Sequence, residues 1–488
     1  MSFVSVLLFV PLLAFIAIIL RVPARQAALG ASLLNLLVSL WIYFQYDPKI
    51  QGFQFVQDIR WIQLPGLPEI HYHVGVDGMN LPLILLTTIV TLAAIIVSPE
   101  GIKRESEFYS YLLAISLGAI GAFVSLDLFF FYIFHEFALI PTFLLIGIWG
   151  SENRQFVSLQ ITLYLMVGSL VLLVGILALL VLLPQEARTF DIPMLIDYAK
   201  AHPLPINKEA VPFAFLLVGF GTLVSLFPFY TWAPAGYAVA PTPAAMLHAG
   251  VLKKFGLYGL LRVAIPLLPG GLEHWKSWLY ILLLGNILYI GYVTIVQKEL
   301  TTMLGYSSVM HMGYIFLGLA SWNKIGISGV VVLMVAHGLS IALLFALAGE
   351  IKDRTGEIKF SELGGLGQRM PFISVAFVLA SFASIGVPGL ANFTGELLIF
   401  FGSWQAQPWI TALAIWGIVI SAVYQLRAVQ SVFFGKLPAH LKDVEDLQGV
   451  AKKFPYLLLM ASLLIIGMMP SSLLSIIKPT VEHYFSAN

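Results

Sequence analysis

The chain has 488 residues, of which 59% are hydrophobic and only 10% charged, with a mean hydropathy of +0.92. Soluble domains carry roughly 25% charged residues, so a water-soluble enzyme is excluded and a polytopic all-α membrane protein is implied. The formal net charge of +1 gives no sign of a nucleic-acid partner, and with no cysteine there is neither a disulfide framework nor thiolate ligation of a metal or iron–sulfur cluster.

The first apolar run, FVSVLLFVPLLAFIAIIL, is followed by Arg21 and Arg25 rather than preceded by positive charge. A signal peptide has the opposite order, so this run reads as a first membrane span with its N-terminus outside. Further runs of about 20 apolar residues fall at 27–46, 79–98, 108–126, 128–149, 157–183, 211–231, 244–266, 276–296, 302–320, 325–349, 372–402, 407–434 and 454–477. They make about fourteen spans, numbered here in chain order. Lys and Arg number roughly fifteen in the loops of one side against roughly eight on the other, which places both termini outside. The outer loops 47–78 and 184–210 show no separate soluble domain, and His71 and His73 in the first read as surface residues rather than a metal pair.

Two spans carry helix-breaking residues at corresponding places. Span 7 breaks at Phe227-Pro228, and span 12, five spans later, breaks at Gly386-Val387-Pro388-Gly389. An odd number of spans between equivalent features inverts the second copy, so spans 4–8 and 9–13 read as two inverted five-helix repeats. The expected organisation is therefore 1–106 for spans 1–3, 107–270 for the first repeat, 271–440 for the second and 441–488 for span 14.

Ionisable side chains at membrane depth are costly and mark function by default. Glu136 lies nine residues into span 5, ~14 Å deep at 1.5 Å per residue, and Lys254 lies at similar depth in span 8. Lys253 precedes it and points about 100° away, as a snorkelling, packing or functional group. His311 and His337 sit mid-span in spans 10 and 11, and Glu396 in the second half of span 12. A lone helical histidine is usually a satisfied core residue, but an acid, base and imidazole row at one level is what a proton relay requires. Arg262, near the end of span 8, reads as an interface anchor.

The stretches FHEFALIP, AGVLKKFGLYGLLR, GYSSVMHMGYIFLG, VAHGLSIALLF and GVPGLANFTGELLIFFGS, in that order between about 100 and 440, resemble the M subunit of respiratory complex I, NADH:quinone oxidoreductase. That family is related to the large subunits of multisubunit sodium/proton antiporters. The resemblance implies fourteen helices, broken helices 7 and 12, and a proton channel driven by redox chemistry elsewhere. Glu136, Lys254 and Glu396 match the family's charged residues of spans 5, 8 and 12, and His311 and His337 match histidines on its central axis. No cofactor is implied in this chain; flavin, iron–sulfur clusters and quinone are expected in partner subunits, and the partners include other membrane subunits, homologous antiporter-like ones among them.

The chain also departs from that pattern. Where the family places a lysine five residues before the span 7 proline, this chain has Leu223, and the polar residues that usually follow are replaced by Pro228-Phe229-Tyr230-Thr231-Trp232-Ala233-Pro234-Ala235-Gly236-Tyr237. Lys253 is therefore the expected substitute cation for Glu136, in a pair that at ~4 Å attracts by about 4 kcal/mol at an effective dielectric of 20. A cation/proton antiporter, a membrane subunit of a hydrogen-oxidising or bicarbonate-uptake complex, and a purely structural subunit are the alternative readings.

Overall fold

The computed structural model describes residues 2–63, 65–66 and 68–486. Ten of its helices are at least 18 residues long and apolar enough to cross a membrane: Ala24–Gln45, Glu105–Val124, Leu128–Trp149, Arg154–Leu182, Ile206–Val224, Pro269–Ile295, Leu300–Ser321, Lys324–Thr355, Pro408–Phe433 and Val450–Met468. Shorter apolar helices Phe3–Ile19 and Leu81–Val97 are spans 1 and 3. The remaining two are the segmented helix at 242–267, span 8, and the broken pair Pro371–Ile385 and Ala391–Ala406, span 12. Hydropathy thus places all fourteen spans.

The core sits on spans 10 and 11. Every residue from Gly326 to Gly349 is buried, whereas span 6 turns Leu159, Leu163, Leu170, Leu177 and Val181 outward. A helix apolar on all sides is stable either deep inside a protein or against lipid, and these two spans are the two cases.

Both breaks end the first half-helix on a left-handed residue: Ser225 at φ 69° in span 7 and Gly386 at φ 84° in span 12. The chain then resumes as Trp232–Val239 and as Ala391–Ala406. Backbone groups released at such breaks need partners inside a membrane. At the first break Asn286 of span 9 supplies them: its Nδ2 donates to Ser225 O at 3.0 Å and Val309 O at 2.9 Å, and its Oδ1 accepts from Phe227 N at 2.7 Å. Trp232 Nε1 donates back to Thr222 O at 3.0 Å.

Two features add to the expectation and a third, in the last run, differs from it. The loop 47–78 holds an antiparallel hairpin, β1 (Gln54–Ile62) and β2 (Ile70–Val76). Loop 184–210 holds the short helix Ile192–Ala201. The 454–477 run is two helices, since the first stops at Met468 and Ser471–Ser486 follows Pro470. The hairpin, the N-terminus and the last helix share one face: Ser2 N donates to Gln57 Oε1 at 2.9 Å, and Gly78 N donates to Thr480 Oγ1 at 3.1 Å.

Arg262 is no interface anchor. It is buried at the hairpin end of span 8, 2.5 Å from Asp77, with its guanidinium 5.1 Å above the Phe53 ring. The pair joins spans 3 and 8 to the hairpin. His71 bonds Asp58 and His73 bonds Asp191, each at 2.7 Å, and among the described residues no three His, Asp or Glu side chains could hold a metal.

Candidate functional site

Span 8 creates the centre of the site by departing from a regular α-helix. A π turn at His248–Leu252 widens the helix one turn before the lysines. Such turns concentrate at functional sites because they leave a carbonyl without its usual partner. Here Lys254 Nζ donates to Ala249 O at 2.8 Å and lies 3.1 Å from His337 Nδ1. Spans 8 and 11 come that close because they cross on glycine: a Cβ on Gly338 would lie 2.6 Å from Gly250 O. Small residues at a crossing let two backbones touch, and the neighbouring polar side chains meet as a result.

From His337 the row continues to His311, with ring centroids 5.5 Å apart. Both His311 nitrogens face backbone carbonyl oxygens at 2.8 Å, Nδ1 toward Ser307 and Nε2 toward Ser384. Carbonyls only accept, and a neutral imidazole has a single N–H, so only the doubly protonated ring satisfies both. Ser384 lies in the last turn of the first half of span 12, where unpaired carbonyls and the helix dipole favour a cation.

Beyond that turn lies Glu396, 3% exposed. A Cβ on Gly386 would fall 2.2 Å from Glu396 Oε2, so the carboxylate packs directly on the break. Around it, Glu396 Oε1, both amide atoms of Asn392, the Tyr314 hydroxyl, Gln425 Oε1 and Ser381 Oγ are buried without a protein partner. Asn392 and Glu396 are four residues apart on one face of the resumed helix. The first break is tied by Asn286; at the second the backbone pairs within its own turns while these side-chain groups have no protein partner, a state that stable interiors avoid and transfer sites use.

Glu136 stands at the other end and makes a different contact from the one expected. Its carboxylate is a third exposed, accepts from Ser169 Oγ of span 6, and lies 3.3 Å from His135 Nδ1. Ser169 Oγ is also 3.0 Å from the Tyr132 hydroxyl. Among the described residues Glu136 forms no ion pair with Lys253 or Lys254. The Lys253 ammonium is held elsewhere, donating to Ser308 Oγ at 3.3 Å and lying 5.3 Å over the Tyr237 ring.

The structure therefore joins Lys254, His337 and His311 in direct sequence, brings Glu396 to the far side of the break, and separates Glu136 from both lysines. Sequence reading missed His135, His248, Asn392, Tyr314 and Gln425. The signal for Asn392 was its spacing from Glu396; for His135 it was adjacency to Glu136. Tyr314 and Gln425 are ordinary residues on apolar helices and gave none.

Residues 125–421 match the family described as NADH:quinone oxidoreductase/Mrp antiporter, TM. NADH-quinone oxidoreductase subunit M of Rhodobacter capsulatus is 34% identical over 470 residues, covering 94% of this chain and 90% of that protein. F(420)H(2) dehydrogenase subunit M of Methanosarcina mazei is 34% identical over 494 residues, covering 99% and 98%. Among solved structures, a chain of respiratory complex I from Thermus thermophilus with bound NADH superposes at a TM-score of 0.89, with 28% identity and 99% of both chains covered.

Proposed function

The chain belongs to the NADH:quinone oxidoreductase/Mrp antiporter membrane family, and on that premise we propose that it moves protons as one membrane subunit of a quinone-reducing complex. The observation that carries this reading is the buried run Lys254–His337–His311, with Lys254 Nζ 3.1 Å from His337 Nδ1 and the two ring centroids 5.5 Å apart, ending on the break beneath Glu396. Each member can bind and release a proton, and each is shielded from solvent by packed helices.

In this mechanism Glu136 takes the proton from one side, Lys253 and Lys254 receive it, the two histidines pass it on, and Glu396 releases it to the other. His311 couples the transfer to backbone, because gaining or losing a proton changes how many of Ser307 O and Ser384 O its ring can donate to. The energy comes from outside this chain. In this reading flavin, iron–sulfur clusters and quinone belong to partner subunits, as the likeness to subunit M of such complexes implies. Those partners include further antiporter-like subunits in the same membrane.

Replacing Lys254 by Met in the assembled complex is expected to abolish proton translocation in inverted membrane vesicles, with assembly intact on a native gel. Translocation at the parent level would remove this reading. A cation/proton antiporter is the second reading, favoured by the Mrp half of the family and by Leu223 in place of a lysine. Flavin and iron–sulfur absorbance in the purified complex separates the two.

We place the chain in a bacterial cytoplasmic membrane, with the hairpin face outside, on the basis of loop charge. Because the chain has no cysteine, single cysteines at exposed Gln51 and Ser361 report topology directly. A membrane-impermeant maleimide should label the first in intact cells and the second only after lysis; the reverse would invert the assignment.

A further inference from the structure

Glu136 lacks its expected lysine, and the surroundings of position 223 show what stands there instead. Leu223 is 4% exposed and lines a small space of ≈ 10 Å³ between spans 5, 6, 7 and 8. That is the lower limit for one water molecule, which needs two to four polar partners. The polar side chains on its wall are His135, His248 and Lys253. His135 is 6% exposed, stacks on the Phe255 ring at 4.0 Å, and lies 3.3 Å from Glu136 Oε1. One ring therefore touches both the carboxylate and the cavity. On the opposite wall His248, 5% exposed, has Nδ1 3.2 Å from the Tyr237 hydroxyl. Tyr237 in turn lies beneath the Lys253 ammonium.

We propose that His135 is a catalytic residue of this chain, the protonatable partner of Glu136 that replaces a cation at position 223, and that it hands the proton across the cavity to His248 and Lys253. The assignment rests on the proton-translocating reading above and deepens it. In the first step the proton of the Glu136 carboxyl moves to His135 Nδ1, leaving a carboxylate beside an imidazolium. In the second, the Nε2 proton leaves through one water to neutral His248 or neutral Lys253, and His135 becomes neutral with its proton on Nδ1. The starting tautomer returns when the ring turns about Cβ–Cγ, gives its Nδ1 proton to the cavity water and takes one from that water on Nε2, while Glu136 is protonated again from its exposed side. No charge is created or lost, and no oxidant is needed.

The choice of imidazole has a physical reason. A lysine at 223 would present a permanent cation unless strongly desolvated, whereas an imidazole is neutral or charged at little cost and can both accept and donate. Leu223 keeps the remaining wall apolar, so that the proton has one exit.

The test uses the assembled complex in inverted vesicles, reading proton uptake by dye quenching per NADH-driven quinone reduction. His135→Leu and His135→Gln are expected to lower that ratio by about tenfold or more, as loss of a positioned acid–base group does. Leu223→Lys added to His135→Leu should restore most of it, a rescue that a packing role for His135 would not give. Parent-level uptake in His135→Gln, or no rescue by Leu223→Lys, overturns the assignment. Lys254→Met in the same assay separates the two levels. If it abolishes uptake while His135→Gln does not, only the His135 role falls; if it too pumps normally, the translocation reading falls with it.

Discussion

Substituting Gly386 by alanine puts the geometry of the second break to the test. Two costs arise, and they can be separated. Gly386 has φ 84°, where an L-residue costs about 1–2 kcal/mol. Its new Cβ would also lie 2.2 Å from Glu396 Oε2, so the carboxylate must withdraw by roughly 1 Å, a displacement that can cost about 100-fold in a positioned reaction. Gly389, three residues on, supplies the control. It has φ 89°, but nothing lies within 4 Å of its added Cβ. Gly389→Ala therefore carries the backbone cost alone. Both variants should lose about 1–2 kcal/mol of stability in thermal melts of the purified complex, and only Gly386→Ala should lose proton translocation in vesicles. Equal translocation by the two variants would refute the claim that the carboxylate's seat on the break matters.

Asn286→Leu removes three hydrogen bonds and leaves Phe227 N and Ser225 O buried without partners; at about 1–3 kcal/mol per orphaned group, the complex should melt several degrees lower or fail to assemble on native gels. Gly338→Ala places a Cβ 2.6 Å from Gly250 O, forcing spans 8 and 11 apart and breaking the Lys254–His337 contact, so translocation should fall well before assembly does when both are measured on one preparation. The hairpin carries a pH dependence: the hydrogen bond to Asp58 holds His71 above its ordinary value of 6.5. A raised folded value stabilises fully below 6.5 and loses that contribution as pH rises through the folded value. Proteolytic resistance of the hairpin should therefore decline from pH 6 to 8, by roughly a few tenths of a kcal/mol for a partly exposed pair, and Asp58→Asn should flatten the slope.

Most of the architecture was legible because a bilayer imposes one rule on every span. Length and apolarity fix where the chain crosses, and proline and glycine fix where a crossing breaks, as at Pro228 and Gly386. QFVQDIRWI and IHYHVGV are rich in strand-forming residues, but each is too short and too polar to stand out as an apolar run of about 20 residues, so hydropathy is silent on the hairpin. The last run hid its break because the polar stretch Pro470-Ser471-Ser472 is short and lies between the apolar residues up to Met469 and those from Leu473 to Ile477.

The site was legible only as an inventory. Sequence alone identified the costly residues, Glu136, Lys253, Lys254, His311, His337 and Glu396, since burying a titratable group in a membrane is expensive wherever it points. Which of them meet was decided by tertiary structure. A π turn and a glycine crossing bring Lys254 to His337, Ser308 and Tyr237 hold Lys253 away from Glu136, and His135 occupies the place between. Hydropathy is a property of each residue and its neighbours along the chain, whereas a proton path depends on distances of about 3 Å between side chains on different helices, which only the packing of those helices sets.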